Sequence, residues 1–224
     1  MDAYEKYHNA ESINRILDTI NDMYKDMFAA CHGRYHTMFV VDTVEYILTS
    51  LSYDARTIEL GKIAALLHDI GNITGRWKHA SMSAALAAVY LDGPVYFSPE
   101  EKEMIVHAIE DHSDGNDISS AIGAALIIAD KMDISRRRIL PLGNTSSFYK
   151  EYDAWHNNLL EIENMDVYIA NKTITINCIT TEAFIKDVFV NGYLKRFSLS
   201  IKAAKHLGCT YHFQFNGKEE IIDC

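Results

Sequence analysis

The chain has 224 residues, of which 48% are hydrophobic and only three are prolines, a composition that supports one substantial core and excludes a disordered chain. Its net charge of −10 argues against binding to nucleic-acid polymers, whose affinity depends on neutralising phosphates. The longest apolar runs, such as 121–129, are too short to cross a bilayer, and the polar start MDAYEKYHNAES lacks the pattern of a signal peptide.

The helices predicted first in the chain are amphipathic. Apolar residues recur at helical spacing from Ser12 onwards, and a second helix is expected over 35–51. Asp54 is a candidate N-cap for a third helix that ends at His68, because its side chain can accept hydrogen bonds from the first turn.

Three further helices are predicted before residue 152. An alanine-rich helix is expected over 81–91. The next begins at Ser98, which is followed by a proline and two glutamates, residues that favour a helix N-terminus. The most apolar segment of the chain, 119–133, is expected to form a buried helix. The chain as far as residue 155 therefore predicts a helical domain.

The pattern changes to strands after about residue 161. Residues 173–178 alternate with period two and are rich in β-branched side chains, which predicts a half-buried strand. Residues 166–170 are expected to pair with it as a hairpin across Asn171-Lys172.

The rest of the chain predicts a helix followed by a strand. The helix is expected over 182–207, and Asn191-Gly192 could interrupt it, whereas 210–215 alternates again as an aromatic strand. We therefore expect a mostly α chain with two units, a helical domain over 1–155 and a small β-β-α-β appendage over 156–224.

The cysteine pattern is typical of reduced thiols. The four cysteines show neither C-x-x-C pairing nor the spacing of a zinc ribbon. The sequence leaves open the alternative of a disulfide between Cys209 and Cys224. These features predict a cytoplasmic protein with no membrane partner.

Helical phase separates the histidines that face the interior from those that face solvent. His36 and His112 lie in register with the apolar residues of their helices, whereas His107 lies on a charged face. Asp130 faces inward from the most apolar helix, and His79 lies in line with the apolar face of its own helix.

Five separate segments thus direct a histidine or an aspartate inward, and one directs both His68 and Asp69. One inward histidine is usually a hydrogen-bonded core residue. Several such groups without a shared partner would each cost roughly 1–3 kcal/mol in desolvation. A bound cation removes this cost by coordination, so the pattern predicts a metal site.

The ordered set of His36, His68-Asp69 and Asp130 resembles the HD superfamily of metal-dependent phosphohydrolases. The segment LLHDIGN is similar to the hallmark of that family, and IADKMD is similar to the segment that supplies its last aspartate. His79 and His112 fall where dinuclear branches place two further ligands. Among these branches, the chain most resembles the symmetrical bis(nucleosyl)-tetraphosphate hydrolases. It departs from many members at Asn72, where they carry lysine.

The resemblance implies an HD-domain helical bundle with a small appended α+β C-terminal unit. It also implies one or two divalent metal ions, with Asp69 as the bridging ligand and catalytic residue. Imidazole and carboxylate ligands without thiolates suit Fe, Mn, Ni, Co or Zn. The implied metal ligands are His36, His68, Asp69, His79, His112 and Asp130.

Basic residues follow the last of these ligands. Lys131, Arg136, Arg137 and Arg138 are candidates to bind the phosphate oxygens of a small substrate. A solvated basic turn at a helix C-terminus is an equally open interpretation of the arginines. Nearby acids that could orient ligands or donate a proton are Asp111, Asp114 and Asp133.

The expected function is hydrolysis of a phosphate ester or anhydride in a small, nucleotide substrate by metal-bound hydroxide. Two alternatives stay open: an HD-fold di-iron oxygenase, and a non-catalytic, metal-containing regulatory module. A homodimer is a further expectation, formed through an exposed edge of the strand that carries Tyr211, Phe213 and Phe215.

Overall fold

The computed structural model describes residues 2–25, 30–93, 96–115, 117–139 and 154–220. In these ranges a set of helices precedes a four-stranded sheet, which confirms the mostly α fold with a small α+β unit at its C-terminal end. The helices are α1 (Ala3–His8), α2 (Glu11–Lys25), α3 (Arg34–Ser50), α4 (Ala55–Leu67), a 3₁₀ helix (Ile70–Thr74), α5 (His79–Asp92), α6 (Pro99–Asp111), α7 (Ala121–Met132), α8 (Arg136–Ile139), α9 (Ala154–Leu159) and α10 (Lys186–His206). The strands are β1 (Ile162–Ala170), β2 (Thr173–Thr180), β3 (Thr210–Phe215) and β4 (Lys218–Glu220).

The helix starts predicted at Asp54 and Ser98 are confirmed. The Asp54 carboxylate accepts hydrogen bonds from two backbone N–H groups in the first turn of α4. Ser98 and Glu101 form a reciprocal capping box at the start of α6, with Pro99 in the first turn. These contacts satisfy N–H groups that would have no partner within the helix.

The variant Ser98→Ala is expected to lower the free energy of unfolding by about 1 kcal/mol, because it removes this cap. Urea denaturation followed by circular dichroism measures the effect. Ser81→Ala is the matched control, since Ser81 is an exposed residue inside α5. Equal unfolding midpoints for the two variants would show that the capping box contributes nothing to stability.

Helix α7 lies at the centre of the helical part. Its residues from Ile122 to Asp130 are all buried, and it packs against α3, α4, α6 and α10. Apolar residues fill most of this helix, so their burial outweighs the cost of placing the Asp130 carboxylate in the interior.

The predicted hairpin is confirmed in its register. β1 and β2 are antiparallel, with Ala170 opposite Thr173 and Asp166 opposite Asn177. The two turn residues, Asn171 and Lys172, both have positive φ, as a two-residue type I′ turn requires. β3 then runs parallel to β2, and β4 runs antiparallel to β3.

The possible interruption near Asn191-Gly192 does not occur, since α10 runs continuously from Lys186 to His206. Its aromatic residues Phe189, Tyr193 and Phe197 recur every four residues and are buried. Phe189 and Phe197 pack against the aromatic side chains of β3. This packing outweighs the cost of about 1 kcal/mol for glycine inside a helix.

The expectation that β3 presents an exposed edge is wrong. β3 lies between β2 and β4, and Phe213 is buried against Phe189 and Phe197 of α10. β4 pairs Glu220 with Phe213 and Lys218 with Phe215, so it covers the C-terminal half of the side of β3 that was expected to be free. The homodimer itself stays a prediction, but the structure does not support pairing along the whole of β3.

The apolar core continues from the helices into the C-terminal unit. Buried residues of α7, α10 and the sheet belong to one hydrophobic cluster. The division of the chain near residue 155 stays a prediction. Within the described ranges, no helix is both long and apolar enough to cross a membrane. Cys209 is a buried free thiol, and its possible disulfide partner Cys224 lies outside the described residues.

Candidate metal centre

Four of the proposed ligands meet in the interior. His36, in the first turn of α3, places its Nε2 atom 3.2 Å from Asp130 Oδ1 and 3.4 Å from Asp69 Oδ2. The Nε2 atom of His68 lies 3.3 Å from that of His36. One donor atom from each of the four residues lies within 4.8 Å of the others, so the group could hold a metal ion.

The end of α4 places His68 and Asp69 side by side at this point. α4 ends at Leu67, His68 is its C-cap, and Asp69 is the N-cap of the 3₁₀ helix that follows. Both side chains are buried. The apolar helix therefore ends at a polar cluster, which explains why an imidazole and a carboxylate follow its leucines.

Asp69 also belongs to a second group of possible ligands, together with His79 and His112. The Oδ1 atom of Asp69 lies 3.5 Å from His79 Nε2 and 3.6 Å from His112 Nε2. Its other oxygen, Oδ2, faces His36 and His68, at 3.4 and 3.3 Å. The two oxygens of one carboxylate thus face two different sets of donor atoms, which is the geometry expected of a bridging ligand.

Hydrogen bonds to backbone carbonyls fix two of the imidazoles. The Nδ1 atom of His68 lies 2.7 Å from the carbonyl oxygen of Ala65, and that of His112 lies 2.6 Å from the carbonyl oxygen of Ile109. Because a carbonyl oxygen can only accept, each Nδ1 atom donates, and Nε2 is the ring atom that faces Asp69.

Sequence comparison agrees with this arrangement. A family model described as the HD domain matches residues 34–173, more than half of the chain. The chain belongs to the HD domain family. The matched range contains all six proposed ligands. The family resemblance noted in the sequence is confirmed, whereas the likeness to symmetrical bis(nucleosyl)-tetraphosphate hydrolases stays a prediction.

Comparison with solved structures finds similarity to the crystal structure of a predicted HD superfamily hydrolase from an uncultured Thermotogales bacterium. The two chains share 25% sequence identity with a TM-score of 0.43, over 60% of this chain and 75% of the other. Comparison with curated proteins finds no match.

The electrostatics of the HD domain at His36 favour a cation. Its Nδ1 atom donates to Asp133 Oδ2 over 2.7 Å, so Asp133 orients the ring, one of the roles considered for the nearby acids. Burial and the Arg138 guanidinium lower the pKa of His36, but hydrogen bonds to Asp130, Asp133 and Asp69 outweigh them and raise it to about 9. Positive charge at this position is thus strongly stabilised.

The metal-binding forms are favoured at four of the other ligands, which are His68, Asp69, His79 and Asp130. Burial lowers the pKa of His68, and it lowers the pKa of His79 to about 4. Burial favours protonation of Asp69, but the neighbouring histidines, His68 first, hold its pKa well below the usual range. Burial alone would likewise raise the pKa of Asp130, but the ammonium group of Lys131 holds this pKa well below the usual range. Neutral imidazoles and ionised carboxylates are the metal-binding forms, so the donor set fits a divalent ion.

The sequence did not identify His32 or the role of Asn72. His32 is buried, and its Nδ1 atom lies 2.9 Å from Asp69 Oδ2. His32 precedes α3, so helical phase could not show whether its side chain faces inward. The one sequence feature that pointed to it is its spacing of four residues from His36. The Asn72 amide donates to Asp69 Oδ1 over 2.8 Å and accepts from the Tyr24 hydroxyl over 3.1 Å. Asn72 therefore helps to hold Asp69.

Two of the four proposed phosphate-binding residues lie beside the cluster. The Lys131 ammonium group donates to Asp130 Oδ2 over 2.7 Å. Arg138 is buried and donates to the carbonyl oxygens of Asp133, over 2.7 Å, and of Cys31, over 3.1 Å. These bonds hold the guanidinium next to His36, with Nη2 3.3 Å from Nε2.

The structure does not bring Arg136 and Arg137 to this position. Arg136 forms an ion pair of 2.9 Å with Glu163 of β1, and Arg137 is exposed. Asp114 is exposed and pairs with Lys195, as expected of a surface residue. Asp111 is half-buried in the last turn of α6, and burial raises its pKa. The family match and the histidine–aspartate cluster together support a metal-dependent hydrolase.

Proposed function

We propose that this HD domain hydrolyses a phosphate ester or anhydride of a small substrate, which we expect to be a nucleotide. One observation carries the proposal: the two oxygens of the buried Asp69 face two separate sets of imidazole and carboxylate donors. His36, His68, Asp69 and Asp130 would hold one divalent ion, and Asp69, His79 and His112 would hold a second.

Divalent ions bound here would supply an activated water nucleophile at neutral pH and would stabilise the negative charge that develops on the phosphoryl oxygens. A carboxylate can bridge two such ions about 3.5–4 Å apart. The polar side chains beside the cluster act by positioning and electrostatics, as expected of phosphoryl transfer.

The side chains of the domain itself have positioning roles in this proposal. Asp133 and the carbonyl oxygens of α4 and α6 orient the imidazoles, and Asn72 orients Asp69. Lys131 and Arg138 provide the cations closest to Asp130, so we assign them to the phosphoryl oxygens of the substrate. Because Arg138 is held by two backbone carbonyls, it would bind substrate with little loss of conformational freedom.

A nucleotide screen, run in parallel with and without oxygen, tests the function. Protein purified without chelator and supplied with Mn²⁺ is expected to release phosphate or a nucleoside phosphate without consuming oxygen. Turnover that needs iron and consumes oxygen would instead support the di-iron oxygenase. Tight nucleotide binding with no turnover under any metal would support the regulatory module and contradict a hydrolase.

The variant His112→Ala is expected to lose about half of the bound metal, because it removes one of the two imidazoles that face Asp69 Oδ1. Inductively coupled plasma mass spectrometry of the purified variant measures the metal content. His107→Ala is the matched control, since His107 lies on the exposed face of the same helix. Full metal retention by His112→Ala would exclude His112 as a ligand.

A further inference from the structure

A cavity next to the candidate metal centre is lined by more cationic than anionic side chains. Asp130, Asp133 and His32 contribute to its wall beside the cluster. The cationic residues that line it are Arg76, Lys131, Arg138 and Arg196. Four cations around one cavity are notable in a chain with 21 basic and 31 acidic residues, where ion pairing could neutralise every base.

The four cations form an inner and an outer pair. Lys131 and Arg138 are the inner pair, since both lie within ion-pair distance of Asp130, at 2.7 and 3.9 Å. Arg76 and Arg196 are the outer pair, and both residues are exposed. The outer pair therefore lies on the solvent side of the proposed site for the reacting phosphoryl group.

Among the described residues, the outer arginines have no carboxylate partner, unlike Arg34 and Arg56. Arg34 binds Asp18 over 2.9 Å, and Arg56 binds Glu101 over 2.6 Å. In the described part of the chain, no carboxylate lies within ion-pair distance of Arg76 or Arg196. Their charge is thus available to an anionic ligand, and the cavity wall concentrates the field.

The two outer arginines come from different parts of the fold. Arg76 follows the 3₁₀ helix, and its Nη1 atom lies 3.2 Å from His32 Nδ1 and 3.4 Å from Asn72 Oδ1. Arg196 lies on α10 in the C-terminal unit, with its guanidinium carbon 5.3 Å from the centre of the Tyr193 ring. The C-terminal unit therefore contributes directly to the cavity.

We infer that Arg76 and Arg196 form a second anion subsite, so that the preferred ligand carries at least two phosphoryl groups. One group would lie at the metal centre, an assignment that rests on the proposed function, and the other would lie between the outer arginines. A guanidinium group suits this task because its fork matches two phosphate oxygens at once. The C-terminal unit thereby helps to select the substrate.

Calorimetric titration of the full chain with inorganic tripolyphosphate and with inorganic phosphate tests the subsite. No divalent metal is added, because tripolyphosphate itself binds such ions. We expect Arg196→Gln and Arg76→Gln each to weaken tripolyphosphate binding by about tenfold and phosphate binding by less than about threefold. Thermal unfolding is the control for loss of structure, and we expect both variants to unfold at the wild-type temperature because both arginines are exposed.

Lys195→Gln is the matched control. Lys195 neighbours Arg196 on α10 and carries the same charge, but it forms a 3.2 Å ion pair with Asp114. Its substitution is expected to change tripolyphosphate affinity by less than about twofold. An equal loss in Lys195→Gln and Arg196→Gln, or no loss in either arginine variant, would overturn the subsite. Arginine-dependent tripolyphosphate binding without hydrolysis of any phosphate compound would contradict the proposed function alone.

Discussion

Replacing Asp69 by asparagine is expected to remove most of the bound metal and to reduce hydrolysis by at least about a thousandfold, on the order of 4 kcal/mol. The variant keeps the shape of the side chain. The carboxylate is an anion that offers two ligand oxygens, whereas the amide is neutral and offers one. Since each oxygen of Asp69 faces a different set of donors, one proposed ion loses a ligand and the other keeps only a neutral amide oxygen. Metal analysis and phosphate release measure the two effects.

The control for this variant is Asp92→Asn, at the end of α5, where the side chain is 89% exposed. It is expected to keep wild-type metal content and activity. If Asp69→Asn were folded and retained its metal and its activity, the bridging role of Asp69 would be wrong. Circular dichroism and thermal unfolding separate that result from a general loss of structure.

Replacing Gly71 by alanine is expected to lower the free energy of unfolding by about 1–3 kcal/mol and to weaken metal binding. A methyl group at Gly71 would lie 2.4 Å from both the carbonyl oxygen of His79 and the backbone nitrogen of Ser83. These are backbone atoms of α5, so the clash can be relieved only by moving α5 and the 3₁₀ helix apart. Because α5 begins at His79, the movement would carry this ligand away from Asp69.

Gly192→Ala is the matched control for Gly71→Ala. Gly192 is exposed inside the continuous helix α10, where alanine is more favourable than glycine. We expect its stability to be unchanged or higher by up to about 1 kcal/mol. Urea denaturation and metal titration test both variants. Wild-type stability in Gly71→Ala would show that α5 does not depend on this close approach.

The sequence predicted the parts of the site that lie on regular helices. His36, His112 and Asp130 each share a helical face with apolar residues, so their phase indicated that they point inward. The starts of α4 and α6 could also be predicted from the sequence, because capping depends on side chains within one turn of the helix. Local patterns were sufficient for these features.

The sequence could not predict features that depend on the meeting of distant segments. His32 lies outside a helix, so no periodicity fixes its direction. Arg76 and Arg196 are far apart in the sequence, and both line one cavity only because α10 packs against the helical part. Within the run of three arginines, only Arg138 turns inward, because the short helix α8 directs consecutive side chains to different sides.

The error at β3 has a similar origin. Its alternating aromatic residues correctly indicated a strand, but alternation does not show which neighbours flank it. The strand that covers it, Lys218–Glu220, is three residues long and charged, so it lacks the apolar alternation of a strand. A homodimer therefore has to be tested without assuming that β3 provides the contact.

The most direct test of the metal centre is anomalous X-ray diffraction from crystals of protein purified without chelator, with data collected at the absorption edge of the metal found by elemental analysis. The structure predicts an anomalous peak bounded by the side chains of His36, His68, Asp69 and Asp130, and a second peak between Asp69, His79 and His112. Catalytically active crystals with no anomalous peak among these side chains, or with a peak only elsewhere, would contradict it.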